Sequence, residues 1–225
     1  MSYSQSANLE TYFSYSESPV TGKDYEASLG KMTRIDGDQA YSFFIQWHYF
    51  SKSVLNLLAV CAWKAETTEE KSNIVMNLHS ELGLDIPNGR SHPDLLADLI
   101  VRATGKHPEA VEASSETKEF VNQILKQTAA ESSSFSTGLL LGLEQVAFDI
   151  LKVLQEVLTK SGNPELIKHP YITIHNEIEA QHIDCTEKNL SVVRDIEQAK
   201  RGYDFSMKQW EYFWASSYKL IQGQS

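Results

Sequence analysis

Apolar residues along this chain recur every three to four positions and never alternate in a sustained run of two. From Gln39 to about Lys64, Phe43, Phe44, Trp47, Phe50, Val54, Leu57, Leu58 and Cys61 keep to helical spacing, so this stretch predicts a long helix lining the core. Thr67 and Glu70 have the capping-box pattern and open a second helix through Ile74, Val75 and Leu78, stopping near Gly83. Pro87-Asn88-Gly89 predicts a turn. Ser91 caps a third helix with His92 first, Pro93 tolerated and Leu95, Leu96, Leu99 and Ile100 buried, ending near Gly105. Ser114 or Ser115 starts a fourth through Phe120, Val121, Ile124 and Leu125. Phe135 to about Lys160 reads as one long buried helix, released by Ser161-Gly162-Asn163. After His169-Pro170 comes a sixth helix, and an aromatic seventh runs from about Val192 to Ile221. The pattern predicts an all-α, single-domain bundle of about seven helices over residues 38–225, preceded by a partly ordered N-terminal arm, residues 1–37, without sustained periodicity.

Composition narrows the function. With 225 residues and 41% hydrophobic content the chain can bury one core, and two substantial domains are not expected. A net charge of −10 without any block of lysines and arginines disfavours nucleic acid and anionic membrane as partners. No apolar run approaches the ~20 residues of a membrane span, and Met1 to Ser18 lacks the basic and apolar regions of a signal peptide, so a cytoplasmic protein is expected. Cys61 and Cys185 are expected as small core residues and not as a disulfide or a nucleophile.

The sixth helix carries the chemistry. His175, Glu179 and His182 stand at i, i+4 and i+7 and fall within an arc of about 60° on a helix. Two imidazoles and a carboxylate on one face suit iron or manganese better than calcium or magnesium. A solvated polar stripe would give the same spacing. Glu177 points to the opposite side. Glu144 is the only ionisable charge between Glu131 and Asp149 and sits among leucines, so it must be protonated, paired or bound to a cation. Glu81 ends the second helix and His92 begins the third, where together they can complete a site with Glu144 and the triplet. His79, Gly138, Gly142 and Phe148 are expected next to substrate or behind the ligands, the two glycines serving either close helix approach or substrate space. A ferritin-type bundle would need a second Glu-x-x-His, and a zincin needs His-Glu-x-x-His; neither is present.

Over about residues 39–222 the chain resembles the haem-oxygenase-like di-metal oxidases, a branch of the superfamily that also holds haem oxygenase and thiaminase-type proteins. The resemblance rests on Asn77-Leu78-His79-Ser80-Glu81-Leu82-Gly83, His92-Pro93-Asp94-Leu95, the isolated Glu144, His175-x3-Glu179-x2-His182 and the aromatic last helix. It implies a haem-oxygenase-like fold with Glu81, His92, Glu144, His175, Glu179 and His182 as ligands to two Fe(II) ions, the second held loosely, and O2 as co-substrate. It further implies N-oxygenation, C–C cleavage, desaturation or nitrile formation, in a family whose members act on amino acids, amines and fatty acids; for this chain a small amino acid or amine is expected, aromatic ones such as tryptophan included, in natural-product biosynthesis. An external electron donor and a homodimer are compatible with it. An amino-acid substrate would need a carboxylate partner, for which Arg34, Arg90, Arg102, Arg194 and Arg201 are candidates. The alternatives are a thiaminase-like or cofactor-free member of the superfamily, or a non-enzymatic helical interaction protein.

Overall fold

The computed structural model describes residues 12–15, 17–85 and 89–223. Among them every regular element is helical: a short α1 (Lys23–Ala27) precedes α2 (Gly37–Lys64), α3 (Thr68–Glu81), α4 (His92–Thr104), α5 (Ser115–Ala130), α6 (Ser133–Glu144), α7 (Ala147–Lys160), α8 (Pro170–Ser191) and α9 (Ile196–Ile221). The turn expected at Pro87-Asn88-Gly89 lies for the most part outside the described residues.

Side chains adjacent in sequence set most of the boundaries. Asp36 and Gln39 form a complete capping box, each side chain accepting the other's backbone N–H at 2.8 Å, so α2 starts two residues before the apolar pattern does. Thr67 accepts from Glu70 N at 3.1 Å, but the Glu70 carboxylate does not close that box. It turns inward, accepting from Glu66 N and from the hydroxyls of Ser133 and Thr137 on α6. Ser91, Ser114 and Ser132 cap α4, α5 and α6. The last helix begins at Ile196, not Val192, because Asp195 accepts from Glu197 N and Gln198 N, both at 3.1 Å.

The single helix expected over 135–160 is two helices, broken at Gln145-Val146. Neither residue is a helix breaker; the cause is tertiary. Gln145 donates from Nε2 to Phe13 O at 2.7 Å and accepts at Oε1 from the Tyr203 hydroxyl at 2.9 Å, while its carbonyl receives the Tyr15 hydroxyl. Residues of the N-terminal arm thus take up polar groups that a continuous helix would direct elsewhere. The arm is anchored further by the fully buried Val20 and Leu29 and by the Tyr218 hydroxyl donating to Val20 O.

α2 and α9 meet through Trp47, Phe50, Trp210, Phe213 and Trp214, with Trp47 and Trp214 stacked at 5.9 Å and Phe120 of α5 against Phe213 at 4.8 Å. Buried rings of this size dominate core stability and hold the bundle wall rigid. α6 and α9 touch backbone to backbone. A Cβ at Gly138 would lie 1.8 Å from Ala199 O, one at Gly142 2.0 Å from Ser206 Oγ, and one at Gly202 2.0 Å from Phe135 O. Close helix approach, not substrate space, is therefore what Gly138 and Gly142 provide. Cys61 and Cys185 are buried and free. Among the described residues no helix is long and apolar enough to cross a membrane.

Candidate metal centre

The stripe expected on the sixth predicted helix faces inward on α8. His175, Glu179 and His182 are 7%, 8% and 5% exposed, so it is no solvated face, while Glu177 is exposed. The same face extends at helical spacing to Tyr171 before and to Thr186 and Asn189 after, all buried. From the opposite wall α3 ends on Glu81, where Gly83 turns the chain with φ +68° and packs so tightly against Arg90 that a Cβ would lie 2.2 Å from its carbonyl oxygen. The chain then returns to Ser91, whose cap fixes His92 as the first residue of α4, 2% exposed.

Glu81, His92 and His175 each offer a donor atom, and the three atoms lie within 4.8 Å of one another. Glu81 faces two ways. Its Oε2 is 3.1 Å from His92 Nδ1, and its Oε1 is 3.9 Å from His182 Nδ1, which is also 3.9 Å from Glu179 Oε2. His175 Nε2 stands 4.0 Å from Glu179 Oε1. The Nδ1 of His175 is hydrogen-bonded to Tyr171 O at 2.6 Å, which directs the Nε2 lone pair at the cluster. His182 Nε2 is buried without a hydrogen-bond partner, an arrangement unfavourable for a cluster meant only to be structural.

Glu144, at the last turn of α6, lines the same cavity as Glu81, His175, Glu179 and His182. Asn77 Nδ2 donates to its Oε1 at 3.0 Å, and the Thr186 hydroxyl donates to its Oε2. Each oxygen keeps a lone pair for a further partner. Asn77 also reaches His182 O at 3.5 Å, tying Glu144 to α8. Asn77 and Thr186 were legible as residues one turn from Glu81 and from His182, but their partner on α6 was not.

Burial governs the protonation of this group. It pushes Glu144 up to about 8, against the two hydrogen bonds that stabilise its anion and with the charge of Glu81 reinforcing the rise. Glu179 is raised well above the usual range, by burial first and then by Glu81 and Glu144. For Glu81 burial acts in the same direction, but His92, His175 and His182 outweigh it and the carboxyl is held low. Burial, then His92, takes His175 down to about 4; burial also lowers His182. Three carboxylates cannot all ionise here without added positive charge, and a buried Glu/His cluster of this composition can hold a metal ion.

Several expected neighbours are elsewhere. His79 is exposed, two residues from Glu81 and on another face of α3. Phe148 is 49% exposed, because the break after Glu144 turns the first residues of α7 so that Ala147 and Ile150 line the cavity in its place. None of the five candidate arginines lines the cavity: Arg34 is exposed, Arg90 donates to Asp94 O, and Arg102, Arg194 and Arg201 pair with Asp98, Glu66 and Glu131.

No family model matches the chain, and no curated protein matches it. Solved structures do. A CADD-like protein of unknown function from Nostoc punctiforme is 15% identical with a TM-score of 0.78, the match covering 97% of this chain and 96% of that one. A domain of unknown function with a haem oxygenase-like fold from Shewanella denitrificans is 14% identical with a TM-score of 0.69, covering 97% and 89%. A TenA homologue from Pyrococcus furiosus is 13% identical with a TM-score of 0.61, covering 97% and 96%. At such identities the likeness speaks to architecture, and the architecture of this chain is the haem-oxygenase-like helical fold.

Proposed function

We propose that the protein is a non-haem di-metal oxidase that holds two Fe(II) ions and uses O2 to oxidise a small organic substrate. The observation that carries the reading is Glu81, whose Oε2 faces His92 and whose Oε1 faces His182 inside one buried volume. In this reading Glu81, His92, Glu144, His175, Glu179 and His182 would hold the ions. The excess of buried carboxylates supports it, since cations would compensate their charge. Such ions supply electrons and open coordination positions for O2. The residues around them do the rest. Tyr171 fixes the orientation of His175, Asn77 and Thr186 orient Glu144, and leucines of α2, α6 and α7 give the cavity an apolar lining. A thiol-based, thiaminase-like mechanism finds no support: neither cysteine lines the cavity, and burial pushes both thiols up.

Anaerobic loading with ferrous iron tests this. Wild type should bind up to two ions per chain, and His92→Ala or Glu179→Gln should each lose about one. Less than one iron per chain in wild type, with candidate substrates present, would overturn it.

A further inference from the structure

α2 lines two separate cavities. Trp47, Phe50, Val54 and Leu57 border the metal centre. Ile45, His48, Tyr49, Lys52, Ser53 and Asn56, at i, i+3, i+4, i+7, i+8 and i+11, form another face of the helix and line a second pocket that shares no residue with the first. Its remaining sides are Lys118, Val121, Asn122 and Leu125 of α5 and residues between 108 and 113 of the segment that joins α4 to α5. The pocket volume is about 460 Å³, within the ~300–1,000 Å³ of small-molecule sites.

The charged side chains of this lining cancel in pairs: Lys52 with Glu109 at 2.7 Å, and Lys118 with Glu112. An ion entering the pocket would meet no charge left uncompensated. The polar groups that lack a hydrogen bond are neutral. His48 is 6% exposed, and among the described residues nothing hydrogen-bonds to its ring. Burial, then the charge of Lys52, takes it down to about 4, so at neutral pH the imidazole has one donor and one acceptor nitrogen. The amides of Asn56 and Asn122 offer the same combination, and neither has a hydrogen-bond partner among the described residues. Ile45 and Val121 are buried and give the pocket an apolar side, to which Tyr49 adds a ring.

A buried imidazole without a partner is costly, and a ligand with an N–H beside a carbonyl or ring nitrogen would satisfy it. A polyol would press hydroxyls on Ile45 and Val121, which a flat ring with one polar edge avoids.

We propose that this pocket is a second ligand site and that it takes an uncharged heterocycle of the nucleobase type, its polar edge on His48, Asn56 and Asn122 and its ring on the apolar side. The assignment does not depend on the di-metal reading.

Metal-free protein, isotope-labelled in histidine, is titrated with uracil, adenine and hypoxanthine, and with glucose, phosphate and citrate. The ring resonances of His48, assigned by through-bond correlation to its backbone, report occupancy. At least one heterocycle should shift them saturably, with a Kd below about 1 mM. Asn56 and Asn122 are exposed, so the fold survives their replacement, and Asn56→Ala and Asn122→Ala should each weaken that heterocycle about two- to tenfold, the worth of one neutral hydrogen bond. Unchanged affinity in both variants would overturn the assignment of the polar edge. Tighter binding of phosphate or citrate, lost in Lys52→Ala, would overturn the uncharged class, and tighter binding of glucose would overturn the heterocycle. No saturable shift from any of the six compounds up to about 10 mM would overturn the site itself.

Discussion

Replacing Glu144 with glutamine should stabilise the metal-free protein and weaken the metal-loaded one. The carboxyl stands at about 8 in the fold against 4.5 in its ordinary environment. A group raised on folding contributes stability that is fully present below its unfolded value and is lost as pH rises through the folded one. Between pH 4.5 and pH 7 the interval is 2.5 units, which at about 1.36 kcal/mol per unit is about 3 kcal/mol withdrawn from wild type. Glu144 keeps some accessible surface, which opens on the cavity, and water there screens part of the effect, so that figure is an upper one. Glutamine keeps the neutral pattern, accepting from Asn77 and donating to the Thr186 hydroxyl, and it never ionises. In a chain of this size each kcal/mol moves Tm by roughly 2–4 °C. The Tm of Glu144→Gln minus that of wild type, by calorimetry or dye fluorescence in chelator, should therefore be near its minimum at pH 4.5 and grow by several degrees by pH 7. Glu179 is raised partly by the Glu144 charge, so the variant relieves it as well and the difference keeps its sign. Added Fe(II) or Mn(II) should reverse the sign, because wild type gains the ligand's binding energy and the variant gains less. A Tm difference that is flat with pH, or that falls as pH rises, would refute a neutral buried carboxyl at this position.

Three further outcomes follow from the same coordinates. Gly138→Ala should lose on the order of 1–3 kcal/mol, seen as a lower urea midpoint with unchanged helical circular dichroism, since its Cβ meets Ala199 backbone at 1.8 Å; an unchanged midpoint would contradict the close contact. Tyr171→Phe orphans the Trp47 Nε1–H that now donates to the hydroxyl at 2.7 Å and should cost about 1–3 kcal/mol, while iron content, measured by atomic emission, stays at the wild-type value because the Tyr171 carbonyl still orients His175. His182→Ala should lower bound iron by about one ion per chain and Glu177→Gln should leave it alone; equal losses in both would mean that the stripe does not face a metal.

Local chemistry was readable along most of the chain. The three-to-four spacing identified the helices, Ser91 and Thr67 marked their starts, and the i, i+4, i+7 arrangement put His175, Glu179 and His182 on one face, because periodicity and capping act within a few residues. Glu144 was conspicuous as a charge among leucines for the same reason. Contacts distant in sequence were not readable. The break at Gln145 depends on Phe13, Tyr15 and Tyr203, the exposure of Phe148 follows from that break, and Gly138 is small because Ala199 passes over it. Whether the polar stripe met water or the bundle interior was likewise decided by packing, which set α3 and α4 against α8 and brought Glu81 and His92 to His175 and His182. Spacing along one helix fixes which side chains share a face; only the assembled bundle fixes what that face meets, and for this chain it is a cavity with no lysine or arginine in its lining.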